Sequence, residues 1–347
     1  MNFNRLCAAT LGALVVALPG VAQVQPAAEV EPLNVQAAAT AQETPAPTTD
    51  PLASAAAVYA TYHGDVTDIK RNSFQSSSDI QAALRTLGGQ NSEQLARGWM
   101  AYSALVASQT PEFRAALRDV EGFYGKDAVV RGLQNDTDYA HSLHGGRAAV
   151  RSALGAVEAD SQRLVNTAAI VKEQAYTLQA QSWAKGRIGD SGNLATQLRA
   201  SSLTGRPARN GMVSAFSAPG IDTVLVTAGS QGATSVWENV SSSAVSIRPP
   251  ESSGTAGLPD SNVAAGKKPI ADRIATLAAY RILGANDTGA TPVKSALTEK
   301  QTEGCLTMAQ LNLQQCIAAT HQHFEVPFCI GEHALADVGR CISKVSQ

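Results

Sequence analysis

Residues 147–185 read RAAVRSALGAVEADSQRLVNTAAIVKEQAYTLQAQSWAK, and they carry the clearest periodic pattern in the chain. A large series repeats every seven residues: Val150, Val157, Leu164, Val171 and Leu178. A small series follows it at an offset of four: Leu154, Ser161, Ala168, Ala175 and Ser182. Alternating steps of four and three residues predict one long helix over this range. The mainly small residues of the second series would let a partner backbone approach closely.

Two kinds of partner suit this helix. It is either the central helix of the chain's own bundle or one half of a homo-oligomeric coiled coil, and the two serines of the small series weaken the second interpretation. Tyr176 and Trp183 lie seven residues apart on a flanking stripe. We expect both side chains to pack inside the protein rather than to hold a ligand.

The segment on either side, residues 54–200, also has helical punctuation. Thr110-Pro111-Glu112 supplies a cap residue, a proline at the first helical position and an acid, which together predict a helix start. Aromatic residues are only 5% of the chain, so closely packed helices with small side chains are favoured over a thick aromatic core. The predicted fold class is mainly α: a helical bundle containing one long heptad-patterned helix, with disordered linkers.

Residues 201–268 are rich in Ser, Gly and Pro, and we predict a flexible connector there. The run Thr223-Val224-Leu225-Val226-Thr227 has strand-like composition, but it has no partner strand in the sequence. Pro269 opens an amphipathic helix that stops at Gly284. Residues 269–347 are therefore predicted to be a separate C-terminal helical domain.

Four of the five cysteines lie in that last segment: Cys305, Cys316, Cys329 and Cys341. Two helices, 306–319 and 330–345, are predicted around a turn at 323–327. Since the arms match in length, an antiparallel hairpin predicts nested disulfides, Cys316–Cys329 near the turn and Cys305–Cys341 at the open end. The first arm returns its thiols to within about 20° of one face, whereas the second leaves them about 120° apart. We therefore expect Cys329 at the edge of the first turn.

A metal site is the competing interpretation of this segment. His321, His323 and His333 accompany the cysteines, and such sets hold zinc in other proteins. The paired C-x2–4-C spacing of zinc knuckles is absent, and an exported chain favours oxidised cysteines. The prediction is two disulfides and no metal, with a metal-responsive module as a further option.

The N-terminus has the features of a secretory leader. A single positive charge at Arg5 precedes the apolar run Leu6–Leu18, and small residues follow up to Ala22. Residues 1–22 are predicted to be a signal peptide, cleaved between Ala22 and Gln23. An uncleaved anchor is the alternative, but 13 helical residues span only about 20 Å of the ~30 Å hydrocarbon core. Cys7 would be lost with the leader, and no further stretch of transmembrane length is expected.

Residues 23–53 contain five prolines and no Lys or Arg. Repeated proline and low hydrophobicity predict a disordered, extended tether. The full chain carries 27 basic and 29 acidic residues, so no charge field recruits nucleic acid, and no nucleic-acid partner is predicted.

Catalytic motifs are weak. Gly189-Asp190-Ser191-Gly192 matches the tetrapeptide around the nucleophile of chymotrypsin-like proteases, but Asn193 replaces the glycine expected next, and a helix terminus explains the glycines better. His141 and His144 lack a third ligand, and Glu121 and Asp127 have no fixed separation. No catalytic, cofactor-binding or metal-binding residue is predicted.

These features favour a chain exported to the bacterial periplasm with a non-catalytic structural or protein-interaction role in the cell envelope. The expected partner is an envelope protein or a cell-wall component, with homo-oligomerisation through helix 147–185 as a further possibility. The alternative is a secreted hydrolase acting on peptidoglycan or peptides. Convergence of Glu121, His141, His144 or Ser191 in one concave pocket would favour that alternative.

Overall fold

The chain folds as predicted into a mainly α structure. The computed structural model describes residues 50–218, 220–231, 237, 265–286 and 290–346, and these belong to one unit, Pro47–Gln347. The predicted signal peptide, its cleavage site at Ala22 and Gln23, and the tether as far as residue 49 lie outside the described residues. Within them no strand forms, and a single isolated bridge joins Arg187 to Gln322.

The described residues form fifteen α-helices, numbered here in chain order. Their bounds are α1 Pro51–Arg71, α2 Ser77–Gly88, α3 Ser92–Ala107, α4 Pro111–Tyr124, α5 Lys126–Asn135, α6 Tyr139–Ser142, α7 Gly146–Leu178, α8 Ser191–Thr204, α9 Asn210–Ser217, α10 Ile221–Gln231, α11 Lys268–Leu283, α12 Ala290–Leu297, α13 Lys300–Ala318, α14 Glu325–Cys329 and α15 Asp337–Ser346. A 3₁₀ turn, Ala265–Lys267, precedes α11, and a π-helical segment, Ile330–Ala336, joins α14 to α15.

The predicted tether ends earlier than residue 53, because α1 begins at Pro51. Asp50 caps this helix by accepting a hydrogen bond from the Leu52 backbone N–H at 2.9 Å, and its other carboxylate oxygen pairs with Arg281 at 2.7 Å. Proline at the first helical position costs no hydrogen bond, since that N–H has no partner in a helix. The last proline of the proline-rich stretch therefore starts a helix.

The long helix α7 is the centre of the bundle. All five residues of its large series are buried, and α1, α3 and the C-terminal hairpin pack around it. The helix ends at Leu178, short of the predicted end at residue 185. Beyond it the chain turns towards the hairpin, where Ala184 and Gly186 carbonyls accept the backbone N–H groups of Phe324 and His323.

The partner of the small series is the chain's own C-terminus. A Cβ on Gly331 would lie 3.0 Å from the Ala168 carbonyl oxygen, and one on Gly339 would lie 3.0 Å from that of Ser161. The Ser161 hydroxyl also donates to the Gly339 carbonyl at 2.8 Å. Glycine facing small residues brings the two backbones together, so this part of the heptad stripe is an intramolecular seam.

The π-helical segment, Ile330–Ala336, sets the register of that seam. A π segment acts as one extra residue inserted into an α-helix. Seven steps on α7, from Ser161 to Ala168, therefore match eight steps on the hairpin, from Gly331 to Gly339.

Both predicted disulfides are present. Cys305 is bonded to Cys341 with a Cα–Cα distance of 5.6 Å, and Cys316 to Cys329 with 5.7 Å. Cys329 and Cys341 are twelve residues apart, but one of these residues is the extra residue of the π segment. The rotation about the helix axis between the two cysteines is therefore about that of eleven α-helical steps, the same as between Cys305 and Cys316. Ideal α-helical geometry placed Cys329 at the edge of the first turn of the second arm. That expectation is wrong, because Cys329 is the last residue of α14.

Part of the predicted connector is helical. The α8 helix extends to Thr204, and α9 and α10 follow it, while residues 232–236 and 238–264 lie outside the described residues. The strand-like run 223–227 belongs to α10, where Val224 and Leu225 are buried. The run was assigned to the flexible connector and is helical instead, because α10 gains its stability by packing on α3 and α7 rather than from its propensity.

The two predicted helical domains share one hydrophobic core. Helix α11 packs against α3, α4 and α7, and α12 packs against α1 and α3. The composition change at residues 201–268 does not separate two cores.

No single helix among the described residues is long and apolar enough to cross a bilayer. The pair Asn210–Phe216 and Ile221–Gly229 meets the length and composition criteria only when combined, and these two helices meet at 82°.

Changing Gly339 to leucine should lower the free energy of unfolding by about 1–3 kcal/mol, since the new side chain must force the hairpin away from α7. Gly304 is the matched control: it lies in α13, where a Cβ would meet no atom within 4 Å. Leucine there should stabilise the helix slightly. Urea unfolding of both variants measures the difference, and equal effects at the two glycines would contradict the close seam.

Candidate functional site

A surface pocket of about 350 Å³ lies where α7, α13 and α14 end. It is lined by Ala175, Tyr176, Gln179, Cys316, Ala319, Thr320, Phe324, Glu325, Phe328 and Cys329. We call it the hairpin pocket. Its walls are mainly apolar, and the Cys316–Cys329 disulfide forms part of them. Pockets of this size with few polar groups are typical binding sites.

Two aromatic side chains expose a large part of their surface at the hairpin pocket. Tyr176 is 59% exposed and Phe328 is 42% exposed. The Lys172 ammonium lies 5.9 Å from the centre of the Phe328 ring and pairs with Glu332 at 2.7 Å. Our expectation that Tyr176 packs inside is wrong: the residue lies in the last turn of α7, and the described helices leave more than half of its side chain exposed. Trp183 is partly buried against the core.

Glu325 holds the turn that shapes the hairpin pocket. Its carboxylate accepts the backbone N–H groups of His321 and Gln322, the latter at 3.2 Å. Pro327 lies in the first turn of α14, where a missing N–H costs no helical hydrogen bond. The shape of the pocket therefore depends on the turn held by Glu325, on the short helix α14 and on the Cys316–Cys329 bond.

The histidines of the hairpin do not form the metal group considered above. His333 pairs with Asp337 at 2.8 Å, four residues away on the same helical run. Among the described residues, the group with metal-ligand spacing is Asp138, His141 and Asp272.

The Asp138–His141–Asp272 group already holds a cation of the chain itself. The Lys268 ammonium lies 2.6 Å from Asp138 and 2.9 Å from Asp272. His141 Nδ1 lies 2.8 Å from the Asp272 carboxylate. The hydrogen bonds to Lys268 lower the pKa of Asp138. An ammonium between the two carboxylates does the electrostatic work that a metal ion would do there.

The residues considered for catalysis point to different neighbours. Ser191 opens α8 and donates to the Ala318 carbonyl at 3.1 Å, and Asp190 caps the same helix. Glu121 pairs with Arg118 at 2.6 Å on α4. The Gly-Asp-Ser-Gly motif is therefore a helix start.

The histidines and carboxylates considered for catalysis also differ in burial. His144 and Asp127 are exposed, whereas His141 is buried. His141 Nε2 is buried and has no hydrogen-bond partner among the described residues. None of these side chains lines the hairpin pocket.

A second pocket of about 350 Å³ lies between α1 and α2 and includes Asp65, Asp68, Asp79 and Arg209 in its lining. Asp65 is buried and pairs with Arg206 at 3.0 Å and with Arg209 at 2.9 Å. Burial raises the pKa of Asp65, and the two arginines oppose that change. These ion pairs fasten the segment before α9 to α1, so we assign Asp65 and the two arginines a structural role.

The core contains a buried polar network centred on Asp160 of α7, which is 3% exposed. Its carboxylate accepts hydrogen bonds from the Tyr59 hydroxyl at 3.1 Å and from the Trp237 indole N–H at 2.6 Å. Thr67 donates to the Trp237 carbonyl at 2.7 Å. Trp237 is thereby fixed to α1 and α7 through both its side chain and its backbone.

An imidazole and a guanidinium complete the network. Arg163 donates to His63 Nδ1, so that nitrogen is the acceptor of a neutral ring, and His63 stacks on Trp237 with ring centres 5.0 Å apart. Burial and the adjacent Arg163 lower the pKa of His63 well below 6.5. Burial raises the pKa of Asp160 to about 7, although Arg163, Tyr59 and Trp237 act in the opposite direction.

Sequence reasoning did not find this network. Tyr59 and His63 are four residues apart on α1, and Asp160 and Arg163 are three apart on α7, so each pair shares a helix face. Polar residues on two apolar helix faces were the available signal, but Trp237 lies 74 residues beyond Arg163 and carries no local pattern.

The two buried groups should give opposite pH dependences of stability. Between about pH 4 and 7 the folded chain keeps a proton on Asp160 that the unfolded chain has released, so stability falls as pH rises. Below about pH 6.5 only the unfolded chain protonates His63, so stability falls as pH drops. Asp160→Asn should remove the first dependence and His63→Gln the second.

Urea unfolding at about pH 5 and about pH 8 measures this effect. The stability of the Asp160→Asn variant relative to wild type should increase between the two values, and that of His63→Gln should decrease. A relative stability of Asp160→Asn that does not change with pH would contradict a raised pKa at Asp160.

No family model, curated protein or solved structure matches the chain.

Proposed function

We propose that the chain is an exported protein of the bacterial periplasm with a non-catalytic protein-interaction role in the cell envelope, and that the hairpin pocket is its binding site. Two disulfides within the last 43 residues support an oxidising compartment. The leader pattern of residues 1–22 supports export.

The observation that carries the binding role is the exposure of Tyr176 and Phe328 around the pocket. Partly exposed aromatic side chains on a rigid frame are favourable anchors for a partner, because little side-chain entropy is lost on binding. The frame is fixed here by the Cys316–Cys329 bond and by the capped turn at Glu325. Nearly balanced charge, 27 basic against 29 acidic residues, favours a partner recognised by apolar contact.

The partner is proposed to be an envelope protein or a cell-wall component. Self-association would use the outer face of α7, where Ile170 is 41% exposed. The seam residues of α7 are covered by the hairpin and are not offered for this contact.

Photocrosslinking in the producing cells tests the proposal. A photoreactive phenylalanine at position 176 should yield an adduct with one envelope component, or a dimer if the partner is a second copy. Position 124 is the matched control, because Tyr124 is 64% exposed and lies on α4, away from the pocket lining. Equal labelling at both positions, or none at 176, would contradict a binding role for the hairpin pocket.

A secreted hydrolase acting on peptidoglycan or peptides is the alternative proposal. Its support is the His141–Asp272 hydrogen bond, since a carboxylate on Nδ1 orients a histidine for general-base chemistry, and this role requires a conformational change that exposes the buried Nε2. Peptidoglycan and casein digestion by the purified chain, compared with a His141→Gln variant, tests it. Activity that is lost in the variant would support this alternative over the binding role.

A further inference from the structure

The two disulfides of the hairpin have different surroundings. Cys316 and Cys329 both line the hairpin pocket, and neither Cys305 nor Cys341 does. Each bond joins a partly exposed cysteine, Cys316 or Cys305, to a buried one, Cys329 or Cys341, so the pocket is what distinguishes the Cys316–Cys329 bond. A thiolate that enters the pocket therefore meets the Cys316 side of this bond.

We propose that the Cys316–Cys329 bond undergoes thiol–disulfide exchange with a dithiol oxidoreductase, and that Cys316 Sγ is the atom attacked. Exchange rates depend on access to the sulfur as well as on the attacking thiolate. The apolar walls formed by Ala175, Tyr176 and Phe328 can receive the residues that flank a partner's cysteine. This inference rests on the proposed oxidising compartment, where such enzymes meet folded disulfide proteins.

The chemistry balances as a two-electron exchange. A partner thiolate forms a bond to Cys316 Sγ, the Cys316–Cys329 bond breaks, and the Cys329 thiolate leaves and takes up a proton. The partner's second thiolate then attacks its own sulfur in the mixed disulfide, and Cys316 leaves and is protonated. The chain gains two thiols, and the partner's dithiol becomes a disulfide.

Exchange at this bond would alter the pocket without releasing the hairpin. The bond closes a separation of 13 residues that contains the turn and most of α14, including Phe324 and Phe328. The Cys305–Cys341 bond, with a separation of 36, continues to hold the open end. The binding surface around Tyr176 therefore loses its frame while α13 and α15 stay linked.

Limited reduction of the purified full-length chain tests which bond exchanges. After brief exposure to dithiothreitol, alkylation and peptide mass spectrometry should find Cys316 and Cys329 labelled at least roughly tenfold faster than Cys305 and Cys341. Equal rates, or faster labelling of Cys305 and Cys341, would overturn the proposal.

A trapping experiment tests the attacked atom and the pocket. A thioredoxin-type protein whose second active-site cysteine is replaced by serine should form a mixed disulfide with Cys316 and not with Cys329. Tyr176→Ser should slow this trapping. Tyr124→Ser, at a similarly exposed tyrosine outside the pocket lining, should leave it unchanged. A mixed disulfide at Cys329 or Cys341 would overturn the assignment, as would unchanged trapping of a Tyr176→Ser variant with wild-type circular dichroism.

These outcomes are separable from those of the proposed function. Photocrosslinking at position 176 reports on binding in cells, whereas the order of reduction is a property of the oxidised chain in solution. A partner captured in cells together with equal reduction of both bonds would retain the binding role and remove the exchange.

Discussion

Changing both Cys305 and Cys341 to alanine should lower the free energy of unfolding by about 4 kcal/mol, the larger of the two disulfide effects. The bond joins residues 36 apart, and loop closure in the unfolded chain becomes more costly as that separation grows. It also fixes the open end of the hairpin, where α15 lies on α7 through Gly339. Alanine avoids burying a hydroxyl group at position 341, which is 4% exposed.

The matched variant changes Cys316 and Cys329 to alanine, and it should cost about 3 kcal/mol because the separation is 13. Urea unfolding of both double variants, with the wild type under oxidising and reducing conditions, measures the two effects. Reduced wild type should resemble the chain lacking both bonds. If the Cys305–Cys341 variant were as stable as the wild type, the hairpin would not depend on its covalent closure.

Replacing Trp237 with alanine should lower the free energy of unfolding by about 3–5 kcal/mol. The indole is fully buried between Tyr59, His63 and Tyr102, so its removal leaves a cavity. It also leaves the buried Asp160 carboxylate with one hydrogen-bond donor fewer.

Trp237→Phe separates the two contributions. Phenylalanine keeps much of the apolar contact but cannot donate to Asp160, so the cost should be smaller, about 1–3 kcal/mol. Urea unfolding at neutral and acidic pH measures both variants. The cost of Trp237→Phe should shrink at acidic pH, where Asp160 is protonated. A cost below about 0.5 kcal/mol for Trp237→Ala, less than that of one buried methylene, would contradict the burial of Trp237 in the network.

The nested cysteine spacing and the four–three pattern of α7 were sufficient to predict the mainly α fold and its disulfide hairpin. Both signals are local, since they depend on residues within one helix or one helical hairpin. The small series also predicted a close backbone partner. Which backbone it would be depended on Gly331 and Gly339, more than 150 residues away, and no local pattern connects them to Ser161 and Ala168.

Two features that the sequence did not predict, the helix at residues 223–227 and the π-helical segment, also depend on contacts between distant parts of the chain. The helical state of residues 223–227 depends on packing against α3 and α7, which overrides β propensity. The π-helical segment follows from matching eight residues of the hairpin to seven of α7, so it requires knowledge of the seam.

The exposed position of Tyr176 and the buried network were missed for a related reason. A heptad pattern shows which face of α7 is apolar but not where neighbouring helices stop covering it. The hairpin pocket lies where α7, α13 and α14 end, and Tyr176 is part of its lining. Asp160 and Trp237 meet only in the folded core, 77 residues apart in sequence.

The account depends most on the covalent state of four thiols in the native chain. Protein isolated from the producing cells can be alkylated without reduction, digested and analysed by mass spectrometry. The account predicts one linked peptide pair containing Cys305 and Cys341, a second containing Cys316 and Cys329, and an N-terminus at Gln23. Alkylation of Cys305, Cys316, Cys329 and Cys341 on a chain that still begins with residues 1–22, and so keeps Cys7, would contradict both the export and the closed hairpin.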